Sequence, residues 1–250
     1  MARSRHTEFV LVEGSAELTP ARLIGAFDPA LVLEQGYRPE NFSDGPLLRA
    51  MRDGGLLYVE ELNRVPEETI NVLLTVMSEG DINVPRLGRI TASDSFRLVA
   101  AMNPYDSVGT SRLSMALYDR TCRVSVGYQD AEHERQIVQL AAPDAKQTLV
   151  AEAVELARAT RDHPDLRSGT SVRGAIDYAR LVPELAGIRG VPADDWQVGL
   201  DAALTTLSGR VRRQESCPRS ADAVIEEIFR KIRATRTADD SPGGDDSPGD

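Results

Sequence analysis

Two adjacent carboxylates follow an apolar run in the segment LLYVEELNR (56–64). Acids at the end of a buried strand need an explanation, because burying an unpaired charge is costly. In open parallel sheets, ligands bind beyond the carboxyl ends of the strands. Glu60 and Glu61 at such an end suit nucleotide hydrolysis, in which one carboxylate holds Mg²⁺ through water and the next polarises the water that attacks the γ-phosphate of ATP. The alternative is that they begin a solvated helix.

An amide follows a second apolar run. Asn103 ends the segment AAMN, directly after the β-like run FRLVAAM (96–102). If this strand neighbours the one before Glu60, the Asn103 amide can hydrogen-bond the attacking water or the γ-phosphate. The alternative is a turn residue before Pro104, and that interpretation is sufficient if the residue is considered alone.

Arginines in two later segments are candidates for phosphate contacts. Arg120 and Arg123 lie in LYDRTCRV (117–124), where an arginine can reach a phosphate in a neighbouring subunit and stabilise charge in the transition state. Arg173 lies in the first turn of a predicted helix, where it can touch the γ-phosphate and report the nucleotide state. The alternatives are a surface ion pair of Arg120 with Asp119 and an exposed helix arginine at 173.

Apolar periodicity predicts the elements that position these residues. Continuous apolar runs of the kind found in parallel strands occur at 9–12, 54–59, 96–102 and 122–128. A helix is predicted from Pro66, with Ile70, Leu73 and Met77 on its apolar face and Gly80 as its stop. Residues 81–92 read as a hairpin or loop.

The chain divides into three parts by these patterns. Residues 1–129 are predicted to be an α/β core, and residues 130–235 an all-helical domain with four apolar stripes at a spacing of three or four residues. Residues 236–250, which include DDSPGGDDSPGD, are predicted to be a disordered acidic tail.

Taken in order, these features resemble the MoxR family of AAA+ ATPases over roughly residues 9–235. The matching segments are EGSAELTPARLIG (13–25) with the helix-two insert, the block 41–80 with the Walker B region, AAMNP (100–104) with sensor 1, LYDR (117–120) with the arginine finger, and GTSVRGA (169–175) with sensor 2. The proline that usually precedes the finger element is missing from SMALYDR.

The resemblance implies roles for five residues. Glu60 stands where the family has its Mg²⁺-associated aspartate, and Glu61 falls on the catalytic glutamate. Asn103 falls on sensor 1, Arg120 on the finger and Arg173 on sensor 2. ATP is then expected between the core and a helical lid, at a subunit interface, although the choice between Arg120 and Arg123 as the finger stays open.

The phosphate-binding motif GxxxxGK[ST] occurs nowhere in the sequence, and neither of its two lysines, Lys146 and Lys231, follows a glycine-rich loop. In the family this motif precedes the strand that matches 9–12. We therefore expect a partial AAA+ core whose parallel sheet lacks its first strand and P-loop, so that two strand edges stay unpaired. A start codon assigned too late, a fragment or decayed gene, and a pseudo-ATPase that acts by binding are the three explanations.

Composition excludes several classes of protein. The 250 residues carry 29 basic and 39 acidic side chains, a net charge of −10, which disfavours a broad nucleic-acid surface despite the arginines at 210, 212, 213 and 219. No run of eighteen apolar residues exists, and we expect no secretory signal at the start. Two cysteines form neither a disulfide framework nor a zinc set, so a cytoplasmic setting is expected.

The leading hypothesis is a MoxR-type ATPase that remodels or matures a client protein. The resemblance implies a homo-oligomeric ring, expected as a hexamer, with a von Willebrand A-domain protein and a client enzyme as partners, and with ATP and Mg²⁺ as cofactors. The alternative is a non-catalytic assembly module that contributes an arginine finger in trans to intact subunits.

Overall fold

The computed structural model describes residues 8–103 and 114–239, with side chains described to residue 236. These residues fall into two compact units, divided between Ser125 and Val126. Each unit has its own hydrophobic core. The assignment of the units as functional domains stays a prediction.

A three-stranded parallel sheet forms the centre of the first unit. Strand β1 (Phe9–Glu13) pairs with β4 (Leu56–Glu60), which pairs in turn with β7 (Arg97–Ala100). The three predicted strands at 9–12, 54–59 and 96–102 are therefore confirmed. Because all three strands run in the same direction, their carboxyl ends meet at one edge, where Glu60 stands opposite Glu13 in the register.

One face of this sheet is buried and the other is open among the described residues. Val10, Val12, Leu57 and Val59 point into the core, as the two-residue period of a strand requires. On the other face Phe9 and Leu11 are more than half exposed, and the Phe9 ring stacks on Tyr58 with centroids 5.9 Å apart.

One helix packs against β1 and β4, and a second helix contributes to the same hydrophobic core. Helix α3 (Pro46–Asp53) begins with proline at its first position and ends at Gly54, which has a left-handed backbone. Helix α4 (Glu67–Glu79) ends at Gly80 in the same conformation, as predicted, whereas Pro66 caps the helix instead of occupying its first turn. Leu47, Leu48 and Met51 from α3 are fully buried.

Short elements complete the first unit. The predicted hairpin or loop at 81–92 is a hairpin of β5 (Asp81–Val84) and β6 (Gly88–Thr91). The remaining elements are α1 (Pro20–Ile24), β2 (Gly25–Phe27), α2 (Pro29–Gln35), β3 (Phe42–Asp44), α5 (Met115–Asp119) and 3₁₀ turns at Pro39–Asn41 and Leu62–Arg64.

The second unit is mainly helical, although the prediction of an all-helical domain is wrong because one short pair of strands is present. Its helices are α6 (Ala131–Ala141), α7 (Gln147–Asp162), α8 (Val172–Arg189), α9 (Trp196–Leu207) and α10 (Ala221–Asp239). A short antiparallel pair joins β8 (Leu166–Ser168) to β9 (Arg212–Arg213). The four predicted stripes lie on α7 to α10, and Tyr178, Leu207 and Phe229 are among the side chains fully buried between these helices.

The strand predicted at 122–128 is not formed. These residues have no regular structure, and Val124 and Val126 are 81% and 85% exposed. A strand needs a neighbour for its backbone groups, and within the described residues β7 pairs only with β4. Residues 122–128 join neither edge strand of this sheet, β1 or β7, and so their backbone groups have no ladder to complete.

The predicted start of the tail at residue 236 is also wrong. Helix α10 continues to Asp239, and Arg236 reaches back to α7, where its Nη2 donates to the carbonyl oxygen of Thr148 at 3.0 Å. The rest of the predicted tail, 240–250, lies outside the described residues.

Within the ranges that the structure describes, no helix combines the length and the apolar character needed to cross a bilayer.

Candidate active site

Glu60 and Glu61 lie at the carboxyl end of the central strand. Glu60 is the last residue of β4 and its side chain is exposed. Glu61 follows with φ 50° and ψ 42°, a left-handed conformation that residues other than glycine seldom adopt. Such strain persists only where the surrounding structure holds the residue in place, and it concentrates at functional sites.

A close approach of β1 helps to hold this turn. The N–H of Gly14 donates to the carbonyl oxygen of Glu60 at 2.8 Å. A Cβ atom at Gly14 would lie 2.4 Å from the carbonyl oxygen of Glu61, which is closer than real side chains come. Only glycine therefore allows β1 to pass this near to the turn after β4.

The Glu61 carboxylate is partly shielded. Its Oε2 atom is buried and lies 3.3 Å from Nε of Arg64, an ion contact without hydrogen-bond geometry. The backbone N–H of Arg64 donates to the carbonyl oxygen of Glu61 at 2.8 Å and closes the 3₁₀ turn. The side chain of Glu61 as a whole is about 38% exposed, so it is not closed off from solvent.

Asn103 lies beside this turn, as the sequence predicts for neighbouring strands. The N–H of Leu62 donates to the carbonyl oxygen of Ala101 at 3.0 Å, and Nδ2 of Asn63 donates to the carbonyl oxygen of Asn103 at 3.1 Å. The side chain of Asn103 is exposed. The Glu60–Glu61 turn and the end of β7 are thus joined at the same edge of the sheet.

Asn63 is a residue that the sequence analysis missed. It is only 5% exposed, although it lies in a short turn between two elements. Its contact with Asn103 spans 40 positions of sequence, which no local pattern reports. The sequence signal that could have indicated Asn63 is its position two residues after Glu61.

Arg120 does not lie near the two acids of its own chain. Its Nε donates to Oγ of Ser78 at 2.6 Å, and its Nη1 donates to the carbonyl oxygen of Ala116 at 3.0 Å. Ser78 is in the last turn of α4, roughly 17 Å along the helix from Glu67 at 1.5 Å per residue. Arg120 and Glu61 therefore lie at opposite ends of α4. Arg123 is exposed in the segment without regular structure.

Arg173 belongs to the second unit, where it is exposed in the first turn of α8. Ser171 caps this helix, and its Oγ accepts the N–H of Arg173 at 3.3 Å. The preceding Thr170 is buried. Its N–H donates to Oγ1 of Thr160 at 2.9 Å, and its carbonyl oxygen accepts from Nε of Arg161 at 2.8 Å.

A buried ion pair braces the same turn. Glu134 is 2% exposed and lies 2.7 Å from Nη2 of Arg161 and 3.2 Å from Nη1 of Arg158. A carboxylate buried this deeply requires such partners, because an unpaired charge in the interior is costly. The start of α8, and with it Arg173, is thus fixed to α6 and α7.

The donor set at the sheet edge fits Mg²⁺ held through water. Carboxylate and amide oxygens are the ligands that this ion prefers, and it usually keeps several waters. Within 8–103 and 114–239, no group of three or more histidine, cysteine, aspartate or glutamate side chains stands ready to enclose a metal. The contact of Glu60 with Mg²⁺ through water stays a prediction.

Comparison with known proteins agrees with the fold. Residues 1–121 match the model of the AAA domain of the dynein-related subfamily. A chain of the RuvB Holliday junction branch migration motor of Thermotoga maritima aligns with a TM-score of 0.50 at 14% sequence identity, over 82% of this chain and 55% of that chain. This likeness concerns the fold alone.

Two relatives match over most of the chain. The gas vesicle ATPase GvpN2 of Halobacterium salinarum is 28% identical over 247 residues, 92% of this chain and 68% of that protein. The gas vesicle ATPase GvpN of Haloferax mediterranei is 26% identical over 91% of this chain and 68% of its own length. The chain is therefore a homologue of AAA+ ATPases: it has the AAA+ fold, and its residues 1–121 match an AAA domain.

Proposed function

We propose that the chain is a MoxR-type AAA+ ATPase that couples ATP hydrolysis to the remodelling or maturation of a client protein. The observation that carries this proposal is the joined turn at the sheet edge. There, Glu61 in a left-handed conformation and the exposed amide of Asn103 follow two adjacent parallel strands. Carboxylates and an amide in this arrangement suit the positioning of a water molecule against a phosphate.

Each side chain of the edge has a proposed task. Glu60, which is exposed, holds Mg²⁺ through water, and Glu61 accepts a proton from the attacking water through its accessible carboxylate. Asn103 orients that water or the γ-phosphate. Bound Mg²⁺ supplies the charge that offsets the phosphates.

Arg120 and Arg173 are proposed to act on the phosphates from elsewhere. Because Arg120 lies at the far end of α4 from Glu61, its proposed role is that of a finger directed at the site of a neighbouring subunit in a homo-oligomeric ring, most simply a hexamer. Arg173 is the proposed sensor of the nucleotide state, braced by the buried pair of Glu134 and Arg161.

The relatives support the ATPase part of this proposal, since both are named as ATPases. A client enzyme and a von Willebrand A-domain protein remain the proposed partners. Both cysteines are free thiols, which supports a reducing, cytoplasmic setting.

The proposal is tested by ATP hydrolysis and ATP binding of the full chain with Mg²⁺. Glu61→Gln is expected to keep binding and to lose turnover by at least about a hundredfold, because the amide cannot accept the proton. Glu67→Gln, at an exposed acid in the first turn of α4, is the matched control and should retain turnover. Equal turnover of the Glu61→Gln and wild-type chains would contradict the role of Glu61.

A second candidate is a non-catalytic assembly module that lends Arg120 to intact neighbours. It is favoured by the position of Arg120, which is held at Ser78 near the end of α4 that lies away from Glu61. Equilibrium binding of a fluorescent ATP analogue to the 250-residue chain separates the two candidates. Micromolar binding supports the ATPase, and no binding at millimolar analogue supports the module.

A further inference from the structure

Of the two polar atoms in the Asn63 side-chain amide, only the nitrogen makes a hydrogen bond among the described residues. Its Nδ2 donates to the carbonyl oxygen of Asn103 at 3.1 Å, while its Oδ1 is buried and accepts no hydrogen bond from the residues that the structure describes. The residue is 95% shielded from solvent. Asn63 therefore makes one directed contact and leaves one buried acceptor unpaired.

Stability does not account for an asparagine at this position. The net gain from one neutral hydrogen bond is generally smaller than the penalty of a buried acceptor without a partner. A leucine of similar size would remove both the bond and the unpaired oxygen. The amide makes a directed hydrogen bond from the turn to the backbone of Asn103, which leucine cannot make.

Two hydrogen bonds join the turn to the end of β7. The N–H of Leu62 donates to Ala101 at 3.0 Å, and Asn63 donates to Asn103 two residues further along. Between β4 and these two bonds lies Glu61, whose left-handed backbone requires support from its surroundings. On the opposite side, the N–H of Gly14 holds the carbonyl oxygen of Glu60.

We propose that Asn63 is a positioning residue that locks the Glu61 turn to the backbone of Asn103, so that the carboxylate and the Asn103 amide move as one unit. The catalytic consequence rests on the proposed ATPase function. The coupling itself does not, because it is a property of the fold.

The first test compares amide hydrogen exchange at two positions in the full chain by NMR. In Asn63→Leu, protection of the Leu62 N–H is expected to fall at least about tenfold, while that of the Gly14 N–H stays within about twofold. The melting temperature should stay equal or rise, since the unpaired oxygen is gone. A purely structural role would instead lower the melting temperature and the protection of both amides.

A matched control is available in the same unit. Asn41 is 4% exposed and its Nδ2 donates to the carbonyl oxygen of Gly36 at 3.0 Å, so it resembles Asn63 in burial and bonding. Asn41→Leu should leave the Leu62 N–H protected. Equal protection of this amide in wild type and Asn63→Leu would overturn the proposal.

A second variant tests the donor directly. Asn63→Asp keeps the shape, and its ionised carboxylate has no donor, so protection of Leu62 should be low at pH 7.5 and return as the pH falls toward about 4 and an O–H forms where Nδ2 stood. Asn63→Leu, which keeps the neighbouring charges of Glu61 and Arg64, is carried through the same pH range as a control. Failure of protection to return at low pH contradicts a donor role.

Kinetics separate this proposal from the proposed function. If the wild-type chain hydrolyses ATP, Asn63→Leu should lower kcat at least about tenfold with KM within about twofold. If the wild-type chain is inactive, the ATPase proposal fails, and the exchange experiments alone decide whether Asn63 locks the turn.

Discussion

Nε of Arg120 lies 2.6 Å from Oγ of Ser78. Ser78 is in the last turn of α4, the helix that follows Glu61 in the chain. The predicted finger is therefore anchored at the end of α4 opposite to the proposed catalytic edge of its own chain. A role in hydrolysis then requires a second subunit, in which the end of α4 in one chain faces the sheet edge of the next.

Mixing two inactive variants tests this arrangement. Glu61→Gln and Arg120→Ala chains should each be inactive alone, with losses of roughly a thousandfold expected for a finger. Mixed in equal amounts, they should recover up to about a quarter of wild-type turnover, because in a ring with heterologous interfaces that fraction of sites pairs an intact Glu61 with an intact Arg120.

The same mixture identifies the arginine that acts. Arg123→Ala replaces Arg120→Ala in a parallel experiment, and a wild-type rate for Arg123→Ala alone would assign the finger to Arg120. No recovery of turnover in either mixture would argue against a finger in trans.

Gly14→Ala tests the close approach of β1 to the turn after β4. The new Cβ would lie 2.4 Å from the carbonyl oxygen of Glu61 and 2.7 Å from that of Glu60, and backbone atoms cannot move aside as a flexible side chain does. We expect a loss of about 2 kcal/mol in the free energy of unfolding, in the range of overpacked cores. Urea denaturation measures it.

Gly127→Ala is the control, since nothing lies within 4 Å of a Cβ at that position. Its free energy of unfolding should change by less than about 0.5 kcal/mol. Equal stability of the Gly14→Ala and Gly127→Ala chains would show that β1 shifts without cost and that the approach is not tight.

Local patterns predict the sheet and the helices well, because buried side chains recur every two residues in a strand and every three or four residues in a helix. The apolar run ending at Val59 and the stop at Gly80 are both visible in the sequence and both present in the structure. The edge position of Glu60 follows from the same run, since the acid marks where burial ends.

Contacts between distant residues were not predictable in this way. The bonds from Asn63 to Asn103 and from Arg120 to Ser78 cross 40 and 42 positions and depend on how elements pack. The failed strand at 122–128 has a related cause: Val124 and Val126 have strand-like alternation, but pairing is decided by a neighbouring edge, which the segment itself does not encode.

The lowered pKa of Glu227 predicts that the second unit becomes less stable in acid. Hydrogen bonds from Lys231, first, and from Arg219 lower the pKa of its carboxyl from 4.5 to about 2. A carboxyl whose pKa is lower in the folded chain stabilises the fold fully above its unfolded pKa, and this contribution is lost as the pH falls from 4.5 toward 2. The Glu227→Gln chain should therefore be less stable than wild type at pH 6, with a difference that shrinks below pH 4.

Urea denaturation at pH 6, 4 and 3 measures this difference. The same substitution at Glu184, exposed on α8, tests whether the effect belongs to the cluster around Glu227. A difference between wild type and Glu227→Gln that stays constant over the three pH values would contradict the lowered pKa.

Tyr178→Phe tests the buried polar contact at the centre of the helical unit. The Tyr178 hydroxyl donates to Oε1 of Glu152 at 2.5 Å, and burial, followed by the charge of Glu152, raises the pKa of the tyrosine so that it remains a donor. Arg233 lies 2.9 Å from Glu152 and is unchanged by the substitution, so we expect only a neutral donor to be lost. We expect the free energy of unfolding to fall by about 1–2 kcal/mol. The exposed Tyr118 carries the control substitution, which should have no measurable effect in the same denaturation experiment. If Tyr178→Phe is as stable as wild type, Arg233 satisfies Glu152 without the hydroxyl, and the hydroxyl adds nothing to the stability of this core.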